Sequence, residues 1–229
     1  LPSLIGIHTD RATARSTSSS ATWSFTGPAV TLPAGDLQAT VEGRLASNRL
    51  RSTSSFAGTT NNKHFHRNEQ SIRGAVDIPL TSRDNNFLPQ LGDLDATAEY
   101  SRAHFSDAGT IDHHAFGLTW EPRPLLRLGA DIEETGRPAA IQSLGNPAIV
   151  SPDVRVFDPL TGETVDVVQI TGGNVDLRPE RTKVRRVNAL LRLVPRLNLQ
   201  FNAEYTDTDA RNFVSSLPEA SAAVMLAFP

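Results

Sequence analysis

Hydrophobic and polar residues alternate one by one along several stretches of this chain. In the clearest stretch, 197–207, every second residue up to Tyr205 is apolar and the residues between them are polar. The apolar set is Leu197, Leu199, Phe201, Ala203 and Tyr205. Because successive side chains of a β-strand point to opposite faces, this period of two predicts a strand with one apolar and one polar face. A tilted strand of roughly ten residues is long enough to cross a hydrocarbon layer.

The same alternation predicts about eight strands, or nine with a further strand near the N-terminus. They span 21–26, 36–48, 71–80, 93–101, 114–120, 126–132, 184–193 and 197–208. Short or proline-marked links are expected at 27–35, 81–92, 122–124 and 194–196, and longer polar links at 53–68, 106–110 and 136–180. The two kinds of link take turns along the chain, so they would lie at opposite ends of the sheet. We therefore predict an all-β fold, an antiparallel up-and-down meander.

The two predicted faces of the sheet suit different environments. The apolar positions mix Leu and Val with many Ala and Gly, whereas a sandwich core needs bulky branched side chains, and no helix is predicted to cover these faces. The polar positions carry full charges: Glu42, Arg44, Arg127, Asp131, Glu133, Arg192 and Glu204. We expect lipid on the apolar side and a wet bore on the polar side, as in part of a transmembrane β-barrel. A soluble sheet with one solvated face would give the same alternation.

Composition excludes several classes of function. The chain has 229 residues and no cysteine, which excludes disulfides and thiolate metal sites. Its net charge of −3 argues against a nucleic-acid partner, since nucleic-acid-binding domains are usually basic. No run of about 18 apolar residues is present, which excludes a membrane-spanning helix. Residues 1–10 contain no recognisable secretory signal, so the chain is cytosolic or its natural start is missing.

Candidate catalytic and metal-binding residues are few. His64 and His66 would share one face of an extended segment, which makes them the best metal candidates, but solvated loop histidines are expected instead. The acidic positions of strand 93–99 could act as paired carboxylates, although the wall of a wet bore explains them better. The motifs of serine hydrolases, P-loops and dinucleotide-binding folds are absent. We expect no enzyme activity, no metal and no cofactor.

The most distinctive segment is 171–181, which reads T-G-G-N-V-D-L-R-P-E-R. It resembles the G-N-P-x-L-x-P-E element of TonB-dependent outer-membrane receptors, which precedes a barrel strand at its external end. The matching residues are Gly173, Asn174, Asp176, Leu177, Pro179 and Glu180. Val175 stands where the family usually has proline, and an alternating strand follows from Val184.

The resemblance implies that residues 1–229 are part of the barrel domain of such a receptor, from the middle to late part of a 22-stranded barrel. The family's plug domain and its TonB-contacting peptide are not recognisable in the chain. Implied partners are the lipid of the Gram-negative outer membrane, the receptor's own plug, TonB, and a ligand such as a siderophore or a glycan. The expected function is active import of siderophore-iron or another scarce solute. Candidate ligand contacts in the polar links are His64, His66, Arg137 and Arg155.

Two other functions fit the same alternation. A soluble β-sandwich could recognise a sugar or a protein through its loops. A small closed barrel could carry hydrolase activity, with bore-lining carboxylates or a Ser/His pair.

Overall fold

The computed structural model describes residues 11–56, 58–158, 161–194 and 199–215, which form an antiparallel sheet and a separate hairpin. The strands are β1 (Arg11–Leu32), β2 (Gly35–Phe56), β3 (Thr59–Thr81), β4 (Asp93–Phe105), β5 (Gly109–Arg123), β6 (Leu126–Arg137), β7 (Ile149–Asp158), β8 (Glu163–Thr171), β9 (Glu180–Val194) and β10 (Leu199–Arg211). One helix, α1, spans Ile141–Gly145, and a single 3₁₀ turn spans Pro89–Leu91. None of the described helices is long and apolar enough to span a bilayer.

The main sheet has eight strands in the order β1-β2-β3-β4-β5-β6-β9-β10. Each strand pairs antiparallel with its neighbour, and the β7–β8 hairpin lies in the chain between β6 and β9. The predicted all-β fold and antiparallel meander are confirmed. The sheet is open, with β1 and β10 at its two edges.

The connections lie at two ends of the sheet, as predicted. At one end, which we call the turn end, lie 33–34, 82–92 and 124–125; at the other, the loop end, lie Gly58, 106–108 and the described residues of 138–179. The predicted link 27–35 is too long, because β1 continues to Leu32. The predicted link 194–196 lies largely outside the described residues. The prediction of a polar loop at 53–68 is wrong, because β2 and β3 continue through it and turn at Gly58, which has a φ of +80°. Polar residues face both sides of the sheet there, so hydropathy does not alternate.

The first three strands are much longer than the next three. They contain 22, 22 and 23 residues, whereas β4, β5 and β6 contain 13, 15 and 12. Glu69 of β3 pairs with Phe105, the last residue of β4. Residues 59–68 of β3 and their partners in β1 and β2 therefore extend beyond β4 at the loop end.

The two faces of the sheet differ as the alternation predicts. We call the face that carries Leu45, Ile72, Phe116 and Phe201 the apolar face. No other described part of the chain packs on it, since these side chains are 58%, 55%, 54% and 58% exposed. The opposite, polar face carries the charged positions. The sequence predicts no helix, yet α1 is present, and it packs on the polar face of β2 and β3 at the loop end.

Candidate functional surface

A chain of ion pairs and hydrogen bonds crosses the polar face. Its centre is Arg73 on β3, whose Nε and Nη2 donate to the two carboxylate oxygens of Glu99 on β4, both at 2.6 Å. Nη1 of the same arginine lies 3.8 Å from Glu42 of β2. On the far side of Glu99, His113 Nε2 of β5 lies 3.3 Å from Oε1. Four neighbouring strands are linked in this way.

The chain of contacts continues across the next two strands. His113 Nδ1 lies 2.7 Å from the hydroxyl of Thr135 on β6, which donates to Glu133 at 3.1 Å. Arg186 of β9 donates to Glu133 at 3.3 Å and to Asp131 at 3.0 Å. We call this series of contacts, from Glu42 to Arg186, the polar ladder.

The polar ladder mainly sets the charge and hydration of the polar face and adds little to the stability of the sheet. Arg73 is 40% and Glu99 is 25% exposed, and ion pairs this open contribute only about 0–1 kcal/mol each. Carboxylates alternate with arginines and one histidine across the strands, so the polar face can be hydrated and rich in charged groups without large repulsion. Such a surface suits contact with water and with polar ligands or polar protein segments.

A cleft of about 610 Å³ lies on the polar face next to the ladder. It runs over β5, β6, β9 and β10, and its polar lining is Arg127, Asp131, Asn188, Gln200, Asn202 and Glu204. Gly129 leaves room for the amide of Asn188 in this lining, because a Cβ there would lie 2.6 Å from Asn188 Oδ1. Amides, carboxylates and a guanidinium together can donate and accept hydrogen bonds from a polar occupant.

Two of the three carboxylates on the polar face of strand 93–99 form ion pairs with arginines. Glu99 is held by Arg73, and Asp93 accepts hydrogen bonds from Arg83 Nε at 2.9 Å and Nη2 at 2.5 Å. Asp95 lies between them in sequence on the same face. The hydrolase alternative needs a pair of free acid groups, and two of the three carboxylates considered for it are tied to cations.

The Arg83–Asp93 contact fixes the turn 82–92 at the turn end. Hydrogen bonds from the Arg83 side chain, and then from its backbone N–H at 2.8 Å, hold the pKa of Asp93 below its ordinary value. The same side-chain hydrogen bond raises the pKa of Arg83. Glu121 Oε1 lies 3.5 Å from Arg83 Nη2, so the turn is also tied to β5.

Arg67 of β3 anchors the loop end of the polar face. It is only 6% exposed, and its Nε and Nη2 make a two-pronged contact with Asp107, with hydrogen bonds of 2.7 and 2.6 Å. Its Nη1 donates to the carbonyl of Ala139 at 2.8 Å, and its guanidinium lies 5.9 Å from the Phe105 ring centroid. One buried cation therefore joins β3, the β4–β5 turn and the segment that leads into α1.

Helix α1 packs on β2 and β3 beside Arg67. Leu50 is 1% exposed, and the hydroxyl of Ser52 donates to the carbonyl of Gly145 at 2.7 Å. A Cβ on Gly145 would collide with the ring of Phe65, so glycine allows the close approach. This contact covers the loop end of the polar face.

Two residues of the segment that resembles the TonB-receptor element, Gly173 and Asn174, make hydrogen bonds to the end of α1 and the residue after it. The Gly173 N–H donates to Asn146 at 3.1 Å, and the Asn174 N–H donates to Ser143 at 2.8 Å. A Cβ on Gly173 would lie 2.6 Å from the carbonyl oxygen of Leu144, which favours glycine there. The motif thus holds the end of α1.

The rest of the motif forms the turn into β9. Asn174 Oδ1 accepts a hydrogen bond from the Asp176 N–H at 2.9 Å, a turn that asparagine favours. Leu177 is half-buried, and the carbonyl of Pro179 accepts from Asn212 at 3.1 Å. Glu180 then begins β9.

The four residues considered as ligand contacts lie on three separate elements. His64 and His66 lie in β3, not in a loop, and they face outward on the apolar side, away from the polar ladder. Arg137 ends β6, and Arg155 lies on the separate β7–β8 hairpin. Across the described ranges, no group of three or more His, Cys, Asp or Glu side chains could hold a metal ion.

Comparison of the sequence with protein-family models and with curated proteins finds no match. The resemblance of 171–181 to TonB-dependent receptors therefore depends on the motif residues themselves. Their placement at the loop end, directly before β9, is the structural feature that accompanies it.

Proposed function

We propose that this chain is part of the outer-membrane barrel of a TonB-dependent active importer of siderophore-iron or another scarce solute. In this proposal the apolar face contacts lipid, the polar face lines the bore and the loop end faces the cell exterior. The observation that carries the proposal is a broad apolar sheet face on which no layer of the described residues packs.

The apolar face extends over all eight strands of the main sheet. Among its exposed side chains are Trp23, Phe25, Leu45, Ile72, Leu118, Val187, Leu199 and Phe201, which range from 45% to 70% exposed. Exposed apolar surface costs about 25 cal/mol per Å² in water, and soluble monomers rarely leave a patch larger than a few hundred Å². A hydrocarbon layer removes this cost, because it takes the place of the missing protein layer.

The chemistry of the polar face supports the proposal that this face lines the bore. A barrel of this kind has a polar interior, and the polar ladder and the cleft would provide one. The receptor's plug, lipid, TonB and the transported solute are the proposed partners. Arg137 and Arg155 remain candidate ligand contacts, whereas His64 and His66 do not, because they face the apolar side.

The motif supports the choice of family. In TonB-dependent receptors the resembled element precedes a barrel strand at its external end, and here Gly173–Glu180 leads into β9 at the loop end. The soluble sandwich lacks comparable support, since the second sheet consists of the two strands β7 and β8 and leaves Val168 and Ile170 61% and 69% exposed.

Fluorescence quenching tests the lipid contact. Trp23 and Trp120 both lie on the apolar face and are 47% and 39% exposed. The protein is reconstituted into vesicles of phosphatidylcholine, with or without bromine on the acyl chains, and we expect brominated lipid to quench the emission of both tryptophans. Unquenched emission from protein with an intact β circular-dichroism spectrum would refute the proposal.

The gene sequence tests the assignment to the TonB family separately. We expect the region upstream of this chain to encode a plug domain and a TonB-contacting peptide. Stop codons close to both ends of the chain, together with normal lipid quenching, would leave a membrane sheet but contradict the importer.

A further inference from the structure

The apolar face changes character on β1, β2 and β3 towards the loop end. Its last large apolar side chains on these strands are Trp23, Leu45 and Ile72. Farther along the same face the charged or titratable outward residues are Arg11, Arg15, Arg49, Arg51, His64 and His66. The other outward positions of this region are neutral, and no described one is acidic.

The basic residues lie directly opposite one another. Arg15 pairs in register with Arg51, which pairs with His64, and Arg49 pairs with His66. Directly opposed residues of antiparallel strands have Cα atoms only about 4.5–5.5 Å apart, and two like charges in that position, here Arg15 and Arg51, are destabilising. All five side chains are exposed. We call these five residues the cationic surface.

Four other outward cations of the sheet are neutralised. Carboxylates of the same face lie within 4.0 Å of them in the pairs Arg102–Asp112, Lys183–Glu134, Arg185–Asp207 and Arg211–Asp209. In the part of the chain that the structure describes, Arg15, Arg49 and Arg51 have no ion pair of this kind. A cluster of outward arginines without carboxylate partners is thus a feature of β1 and β2, whereas Arg181 of β9, which has no ion pair with a described residue either, lies next to Lys183 and Arg211, which do.

We propose that the cationic surface binds the phosphate-bearing headgroups of anionic lipids in the outer leaflet. The inference rests on the proposed function, because the apolar band below the surface must lie in lipid. Arg49 lies four residues beyond Leu45, or about 13 Å at ~3.3 Å per residue. A long arginine side chain can reach back from there to the headgroup layer, and its planar fork matches phosphate oxygens.

The expected preference for anionic lipid is measurable. Each arginine near an anionic membrane surface favours binding by roughly 1 kcal/mol, which corresponds to about a fivefold change in an equilibrium constant. A headgroup with one net negative charge that contacts one arginine should therefore associate about fivefold more strongly than a zwitterionic headgroup of no net charge. Salt should weaken the preference, because the side chains are exposed.

The experiment reports the lipid next to Trp23. In the W120F protein, Trp23 is the one remaining tryptophan, and it lies on β1 below Arg15. The protein is reconstituted in mixtures of phosphatidylcholine and phosphatidylglycerol, with bromine on one lipid and then on the other. The relative association constant follows from the two quenching curves. We expect about fivefold preference for phosphatidylglycerol, and no preference in R15Q/R49Q/R51Q.

A matched variant separates this surface from net charge. R102Q/R185Q/R211Q removes the same number of positive charges from the same face, but from residues that have carboxylate partners, so the preference should be retained. Equal loss in both variants would overturn the inference, as would equal association of both lipids with the unaltered protein. Stronger binding of dextran sulfate than of anionic lipid would assign the surface to a soluble polyanion and overturn it too. Absence of quenching by either lipid would instead refute the barrel proposal.

Discussion

Arg67→Met should release the segment around α1 from the sheet while the sheet itself stays folded. Arg67 is the buried cation that joins β3 to Asp107 in the β4–β5 turn and to the carbonyl of Ala139. Methionine keeps most of the side-chain length and its apolar contact with Phe105, but it donates no hydrogen bond. The substitution therefore removes the polar anchor and little of the packing.

The loss of stability in Arg67→Met can be estimated from the acceptors that lose their donor, the Asp107 carboxylate and the Ala139 carbonyl. A hydrogen bond to a charged group contributes roughly 1.5–3 kcal/mol, and a buried acceptor that loses its partner has a cost of its own. Asp107 is 30% exposed, so water can replace the lost contact with its carboxylate in part. We expect about 3 kcal/mol less stability for the docked segment, which is roughly a hundredfold increase in its opening equilibrium.

Amide hydrogen exchange measures this opening directly. The N–H groups of Leu144 and Asn174 donate to Ala140 and Ser143 within the segment. Because a five-residue helix is not stable without tertiary packing, these hydrogen bonds should open when the segment leaves the sheet. Exchange of both N–H groups should accelerate about a hundredfold in Arg67→Met, and amides in the middle of β5 and β6 should keep their protection.

Arg44→Met is the matched control for this substitution. Arg44 lies on the same polar face, but it is 42% exposed and its contact with Glu69 is 3.4 Å long, so we expect a loss of at most about 1 kcal/mol. In R67M/D107L both charges are removed, and part of the stability should return because no carboxylate is left unpaired. Equal exchange in Arg67→Met and Arg44→Met, or opening of the whole sheet, would refute the reasoning.

Three further changes test other parts of the molecule. Gly145→Val should undock α1 at a cost of about 1–3 kcal/mol, because a side chain there collides with an aromatic ring of β3. Gly27→Val is the control, since a side chain at Gly27 has open space. Amide hydrogen exchange in α1 should accelerate in the first variant and not in the second. The contribution of Asp93 to stability should be complete above its unfolded pKa of about 4 and be lost as pH falls through its lower folded pKa; urea unfolding of Asp93→Asn should lack this acid dependence. Phe201→Asp should impair insertion into vesicles by placing a charge in lipid, whereas Asn202→Asp, on the polar face, should not.

The all-β meander could be predicted because a period of two is a local signal. Leu199, Phe201 and Tyr205 alternate with polar residues, and the structure places them on one face of β10. The first half of β1 gives no such signal, since 11–20 is mostly Ser, Thr, Ala and Arg. Pairing with β2 orders that segment, and a single sequence does not display the partner.

The sequence predicts which face of the sheet each residue of the candidate surface lies on, but not which residue it contacts. Alternation places Glu133 among the polar positions, and the structure finds it there, in contact with Arg186. The Arg73–Glu99 pair depends on the register of β3 against β4, which alternation within each strand does not fix. Arg67 is harder still, because its carbonyl partner lies 72 residues away in sequence.

The hydropathy pattern of β2 reverses partway along the strand. In 37–45 the odd positions are apolar, but beyond them the odd positions are Arg49 and Arg51, and Leu50 packs beneath α1 on the other face. β3 reverses beside it, with His66 outward and Phe65 towards α1. A soluble sheet with one core keeps the same face apolar along each strand. Two paired strands that reverse together fit a boundary between two media, as expected where strands leave a hydrocarbon layer and enter water.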